Sequence, residues 1–244
     1  MALILCIDLA YKSYADFGFC LLEESDGKVK DIQYLSYQAI GLHEVPKPDV
    51  FAWKVLDFGQ YVGASILMLD GPQGWKDPDN GLPCQRICEK HWNTQAKTGT
   101  KDNVKPANFR PFVLFSTEVF RLLAQSSVTS LVTESTIEMP LRGILLVETY
   151  PYSAWKTLKI GPLPGKRNPS CDSAKIGSIA KTLEQSLHLP SVGKPSHDEL
   201  SALVAGLAGV AIAAKNESGY IALGTAPKWT PEGHLLEGYI VNPR

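Results

Sequence analysis

Short apolar runs, each closed by a carboxylate, dominate the pattern of this chain. LILCID ends at Asp8, SILMLD ends at Asp70 and GILLVE ends at Glu148. Apolar runs of this length, bounded by polar and turn residues, are typical of buried strands. The predicted strands are Leu3–Asp8, Ala64–Asp70 and Leu141–Thr149.

The surrounding segments complete an α/β pattern. Ser25-Asp26-Gly27 supplies a tight turn between two further strand-like segments, so the chain opens with a three-stranded antiparallel meander. Strands and helices then alternate, which predicts a mixed sheet flanked by helices in a single domain, 1–244. The further predicted strands are Tyr14–Leu22, Val29–Ser36, Tyr220–Thr225 and Gly238–Val241; the predicted helices are Val50–Tyr61, Phe109–Gln125, Ala174–Leu187 and one that begins at Ser196.

A long irregular segment interrupts this pattern at about 71–108. It is rich in Gly, Pro, Asn, Asp and Lys and has no sustained apolar period. A loop of this length in a compact domain is usually functional or mobile. We therefore expect an insertion over one end of the sheet.

A fourth acidic residue, Asp198, lies at the start of a helix. Ser196 and Glu199 form an S-x-x-E capping box around it, and the helix dipole favours a negative charge there. Ligands of α/β sheets bind outside the carboxyl ends of the strands. If the four acids converge there, they form an all-oxygen site for Mg²⁺ or Mn²⁺.

Each carboxylate also has a purely structural explanation. Asp8 can bond the backbone of the following turn, and Asp70 begins the good turn sequence Asp-Gly-Pro. Glu148 can pair with a basic side chain, and Asp198 can simply complement its helix. Their repeated placement at element ends favours the metal site.

Five segments taken in order resemble a known family. CIDLA, DGPQGW, VETYP, HDELSALVAGLAG and TPEGHLLEGYIVNP are similar to the domain of unknown function 429 family, across nearly the whole chain. The resemblance implies a ribonuclease H-like fold and a predicted nuclease activity. It also implies that Asp8, Asp70, Glu148 and Asp198 are the metal ligands. The late helical acid is similar to that of other ribonuclease H-like nucleases, including Holliday-junction resolvases.

The charge balance limits the choice of substrate. The chain has 24 basic and 25 acidic side chains and a net charge of -1, which gives no general attraction to nucleic acid or to an anionic membrane. Contact with phosphate then depends on metal or on local groups such as Lys12 and His197. Two basic stretches and three tryptophans are further candidates for contact with nucleic acid: Lys156, Lys159, Lys166 and Arg167; Lys90, Lys97, Lys101 and Lys105; Trp75, Trp92 and Trp155.

The cysteines indicate a reducing compartment. Their number, five, is odd, and two lie in strand-like runs. No apolar run is long enough to cross a bilayer, and the N-terminal segment lacks the basic region of a signal peptide. We expect a cytoplasmic protein of undetermined oligomeric state. Cys84, Cys88 and His91 have a spacing that suits zinc, but helical periodicity explains the spacing equally well.

The leading hypothesis is a metal-dependent nuclease or phosphodiesterase that uses two metal ions. Its substrate is DNA, RNA or a small phosphodiester. Two alternatives remain. One is a non-catalytic binding module with the same fold. The other is an ATP-dependent phosphotransferase of the actin-like kind, which also opens with a strand ending in Asp but normally carries two copies of its core.

Overall fold

A mixed β-sheet runs through the centre of the molecule. The computed structural model describes residues 1–101, 103–166 and 168–244. The strands are β1 Ala2–Asp8, β2 Gly18–Ser25, β3 Lys28–Tyr34, β4 Ala64–Asp70, β5 Thr129–Leu131, β6 Ile144–Thr149, β7 Tyr220–Trp229 and β8 Leu235–Pro243. The α-helices are α1 Pro48–Val62, α2 Ile87–Trp92, α3 Arg110–Ala124, α4 Pro151–Thr157, α5 Ser173–Leu187 and α6 His197–Ala213.

The strand order is β3-β2-β1-β4-β6-β8-β7, and β5 pairs with β6. Strands β1, β2 and β3 form the predicted antiparallel meander. Strands β4 and β6 then continue the sheet parallel to β1, so the carboxyl ends of these three central strands share one edge. The predicted mixed α/β sheet, an antiparallel meander followed by alternating strands and helices and flanked by helices, is confirmed.

Two apolar layers cover the two faces of the sheet. Alternate residues of a strand point to opposite faces, so Ile4 and Cys6 belong to the layer beneath α6, whereas Leu5 and Ile7 belong to the layer beneath α1 and α3. On the face of α6 that meets the sheet, Gly206 and Gly209 lie against Cys6 and Ile4 of β1. A Cβ at Gly206 would lie 2.2 Å from Sγ of Cys6, so only glycine permits this close approach.

Several elements differ from expectation. Residues Tyr14–Asp16 form a 3-10 helix capped by Ser13, and β2 begins only at Gly18, because the aromatic rings of Tyr14 and Phe17 pack against Phe51 of α1. The short elements β5 and α4 were not predicted, since neither carries enough residues to display a period. None of the helices in the described ranges is long and apolar enough to span a membrane.

The insertion is packed onto the sheet rather than free of it. It contains α2 and a 3-10 helix, Ala107–Phe109. The buried carboxylate of Glu237 in β8 accepts hydrogen bonds from the backbone of Asp77 and Ile87 and from the side chain of Asn80. A single buried acid thus fixes three points of the insertion beside the first residues of β8.

Candidate functional site

Asp8 and Asp70 meet at the carboxyl ends of neighbouring parallel strands. Ile7 of β1 is in register with Leu69 of β4, which brings the two following carboxyl groups side by side. The two carboxyl groups lie within hydrogen-bonding distance of each other. Because an ionised carboxylate only accepts hydrogen bonds, a hydrogen bond between them would require a proton on one of the two.

Asp198 joins this pair from the first turn of α6. The helix begins at the predicted capping box, in which Ser196 accepts from the backbone N–H of Glu199 and Glu199 accepts from that of Ser196. Gly18, the partner of Asp8 in β2, allows the approach: a Cβ there would lie 2.0 Å from the backbone oxygen of Asp198. The structure therefore brings Asp8, Asp70 and Asp198 together on one face of the sheet.

Both carboxylate oxygens of Asp198 have partners. Lys166 forms an ion pair with Oδ2, and Nδ1 of His197 lies 3.1 Å from Oδ1. The Lys166 ammonium also lies 3.4 Å from Oδ1 of Asp16. A lysine from the loop before α5 thus neutralises the α6 end of the acidic cluster.

Glu148 lies on the opposite face of the sheet. It is in register with Leu69, one residue before Asp70, so its side chain points the other way. Its two oxygens accept from Arg86 at 2.6 and 2.7 Å, and one also accepts from the backbone N–H of Gln73 at 3.0 Å. Both Arg86 and Glu148 are at most 2% exposed, which makes this a buried, bidentate ion pair.

Arg86 also ties Glu148 to the insertion. Its Nε donates to Glu89 at 3.2 Å, and Glu89 in turn accepts from the backbone N–H and the hydroxyl of Thr98. Glu89 therefore supports the arginine instead of extending the acidic cluster at Asp8. The guanidinium compensates two buried carboxylates at once.

The electrostatics of the cluster disfavour full ionisation. Burial, followed by the negative charges of Asp70 and Asp198, raises the pKa of Asp8 well above its usual range, while Lys166 opposes the shift. Burial raises the pKa of Asp70 to about 7; the hydrogen bond with Asp8 acts against this and the charge of Glu148 adds to it. Burial also raises the pKa of Glu148, although Arg86 and the backbone of Gln73 oppose it. The unliganded cluster therefore retains protons that isolated carboxyls would lose.

The donor set suits a divalent cation at one position. A divalent cation held by Asp8 and Asp70 would compensate the repulsion between their two negative charges. Within the described ranges, no three His, Cys, Asp or Glu side chains are arranged as ligands of one ion. Asp8 and Asp70 fit a cation as a pair; Asp198 and Glu148 are already paired with Lys166 and Arg86.

A cleft of about 450 Å³ opens beside Asp70. The turn after β1, the end of β6 and the insertion enclose it, and Arg86 and Glu148 lie at its base. Aromatic side chains contribute much of its wall: Tyr11, Phe109, Phe112 and Tyr150. A cleft of this size is within the usual range for small-molecule sites.

The two predicted substrate-binding residues have different settings. Lys12 is exposed in the turn after β1, with its ammonium 5.6 Å from the centre of the Tyr11 ring. His197 is tied down, since its Nε2 lies 3.1 Å from the backbone oxygen of Pro164. His197 thus connects α6 to the loop that carries Lys166.

The prediction that bases stack on tryptophan is wrong for two of the three tryptophans. Trp75 and Trp155 are 7% and 2% exposed and belong to the apolar core, and Trp92 donates from its indole N–H to the backbone of Ile240. In the basic stretches, Lys97 donates to backbone oxygens of the insertion, and Arg167 lies outside the described residues.

The zinc hypothesis finds no support around Cys88. This thiol is buried, and burial raises its pKa well above the usual range, against the charge of Arg86. A thiol must lose its proton to bind zinc, so this environment opposes zinc binding.

The sequence reasoning missed the partners of the acids. The alternation of side chains along β6 could have shown that Glu148 faces away from the other acids. Glu148 precedes the end of its strand by one residue, whereas Asp8 and Asp70 are the last residues of theirs. The i, i+3 pair Arg86 and Glu89 was a second, weaker signal. No local pattern marks Lys166 as the partner of Asp198.

The chain matches no family model, and no curated protein matches it. Solved structures with some likeness include two of RuvC from Thermus thermophilus. The structure described as RuvC in complex with Holliday junction substrate is 9% identical, with a TM-score of 0.38 over 88% of this chain and 98% of that chain. The second is 11% identical, with a TM-score of 0.36 over 86% and 94% of the two chains.

Proposed function

We propose that this protein is a metal-dependent phosphodiesterase, with Asp8 and Asp70 as ligands of Mg²⁺ or Mn²⁺ and Asp198 as the third carboxylate of the site. The main support is the pair of carboxyl groups at the ends of two adjacent parallel strands, which lie within hydrogen-bonding distance of each other. Both face the first turn of α6, which contains a third acid, Asp198. A purely structural role would not require two carboxyls in direct contact, since the contact disfavours their ionisation.

A bound divalent cation would activate water and stabilise the oxygen that leaves during cleavage of the phosphodiester. The protein groups perform the remaining tasks. Asp8 and Asp70 hold the cation at the strand ends, and Gly18 lets α6 bring Asp198 against them. The sequence predicts four metal ligands, and the proposal leaves out Glu148 because both of its carboxylate oxygens accept hydrogen bonds from Arg86.

The cleft supports an unpaired strand or a small phosphodiester over a long duplex. Its volume of about 450 Å³ suits a group the size of one nucleotide, and its aromatic wall offers stacking surfaces for a base. Lys12, beside the Tyr11 wall of the cleft, is proposed to contact substrate phosphate. The net charge of -1 agrees with a substrate that has few phosphates.

The test is Mn²⁺-dependent cleavage of single-stranded DNA, single-stranded RNA, duplex DNA, a four-way junction and bis(p-nitrophenyl) phosphate. We expect Asp8→Asn and Asp70→Asn to reduce cleavage at least about 100-fold, as for loss of other groups that act on transition-state charge. Asp57→Asn, on the exposed side of α1, is the matched control and should leave the rate unchanged. Cleavage that survives Asp8→Asn, or that persists in excess chelator, refutes the proposal.

A non-catalytic binding module is the alternative that this test separates. It predicts no cleavage of any substrate and no gain in stability with Mn²⁺. Non-convergent carboxylates would also favour it, and Asp8, Asp70 and Asp198 do converge. The actin-like alternative calls for a second copy of the core; the described strands form one sheet with one meander.

A further inference from the structure

The ammonium of Lys166 lies among the carboxylates of the candidate site. It contacts Oδ2 of Asp198 and lies 3.4 Å from Oδ1 of Asp16. It is also close enough to Asp8 to favour the ionised form of that carboxyl. One positive charge therefore acts on three acids: Asp8 at the end of β1, Asp16 in the 3-10 helix Tyr14–Asp16 and Asp198 in α6.

The loop that carries Lys166 is attached to the site at two further points. Leu163 is buried in the apolar layer beneath α6, and the backbone oxygen of Pro164 lies 3.1 Å from Nε2 of His197. The other ring nitrogen of His197 faces Asp198. Leu163 and Pro164 thus anchor the loop of Lys166, and His197 anchors the helix end that carries Asp198. The contact is held in this way although the Lys166 side chain is 45% exposed.

Glu148, on the opposite face of the sheet, also has its own cation. Arg86 binds both oxygens of Glu148, and Lys166 with His197 occupies both oxygens of Asp198. Asp8 and Asp70 are different, because their side chains lie against each other and, within the described ranges, no lysine or arginine forms an ion pair with either of them. Of the four acids, these two therefore remain for a divalent cation.

We infer that the site binds one divalent cation, at Asp8 and Asp70, and that the Lys166 ammonium occupies the second cation position, beside Asp198. The inference rests on the proposed function, and it replaces the two metal ions of the hypothesis drawn from the sequence with one metal ion and one lysine. An ammonium is a compact point charge with three donors, so it attracts a phosphate oxygen while still bound to carboxylates. In this assignment Lys166 contacts the substrate phosphate on the Asp198 side.

The test counts Mn²⁺ ions in the absence of substrate, by calorimetry and by electron paramagnetic resonance. Two Mn²⁺ ions about 3.5–4 Å apart couple magnetically, whereas a single bound ion does not. We expect one uncoupled ion in the wild type and two coupled ions in Lys166→Met. Lys181→Met, on the exposed face of α5, is the matched control and should bind one ion. The double variant Lys166→Met with Asp198→Asn should bind one Mn²⁺ ion, because the second cation position then lacks its carboxylate.

Two coupled ions in the wild type, or a single ion in Lys166→Met, would overturn the inference. The first of these results leaves the proposed phosphodiesterase intact. The absence of Mn²⁺ binding by every variant would overturn the inference and the proposed function together. Cleavage gives a further readout: Lys166→Met should raise the Mn²⁺ concentration needed for half-maximal rate, because a second ion must now replace the lysine.

Discussion

Replacement of Asp70 by Asn should stabilise the metal-free protein at neutral and alkaline pH. The pKa of this carboxyl rises from 3.8 to about 7 on folding, because partial burial and the charge of Glu148 disfavour its ionised form more than the hydrogen bond with Asp8 favours it. Between these two values the folded protein binds more protons than the unfolded chain. Its free energy of unfolding therefore falls as the pH rises from about 4 to about 7, and stays reduced above that range.

The shift sets the size of the effect. A difference of about three pKa units corresponds to an upper limit of about 4 kcal/mol, at about 1.4 kcal/mol per unit. Asp70 is partly exposed, so solvent screening reduces this, and we expect a gain of about 1–3 kcal/mol at pH 8. Near pH 4 the wild type and Asp70→Asn should differ little.

The assay is urea unfolding with EDTA at several pH values, followed by the same series with Mn²⁺. The cation should reverse the order of stability, since it binds the folded wild type and stabilises it by mass action, while Asp70→Asn lacks a ligand. Asp57→Asn should follow the wild type throughout. If Asp70→Asn is less stable than the wild type at pH 8 without metal, the carboxyl has a structural role and the reasoning is refuted.

Two further predictions concern the groups around the acids. Gly18→Ala should lower the free energy of unfolding by about 1–3 kcal/mol and weaken Mn²⁺ binding. The new Cβ would lie 2.0 Å from the backbone oxygen of Asp198, so α6 must move. Unchanged unfolding and unchanged Mn²⁺ binding would show that this contact does not position α6. Arg86→Met should cost about 3–5 kcal/mol in urea unfolding, since it leaves two buried carboxylates without a cation. Adding Glu148→Gln to Arg86→Met should recover part of that loss, and strictly additive effects would contradict a direct ion pair.

The sequence by itself determined the strands and the position of the acids within them. Apolar runs such as LILCID specify buried strands locally, and the acid at the end of each run follows from the same pattern. The capping box at Ser196 likewise fixed the start of α6, because all of its hydrogen bonds lie within four residues. Because side chains alternate between the two faces of a strand, the position of Glu148 one residue before the end of β6 places it on the other face from Asp70. Predicting this requires the exact end of β6, which a run of apolar residues does not define.

Only the tertiary structure decided which charges meet. Arg86 reaches Glu148 across 62 positions of the chain, and Lys166 reaches Asp16 across 150. The contact of Gly18 with Asp198 spans most of the chain in the same way and depends on how closely α6 packs on β1 and β2. A local pattern reports which face of an element is buried, whereas these contacts depend on the packing of elements that are distant in sequence. The sequence therefore located the acids, and the packing decided that Glu148 and Asp198 have cations of the protein as partners, whereas the carboxyls of Asp8 and Asp70 lie against each other.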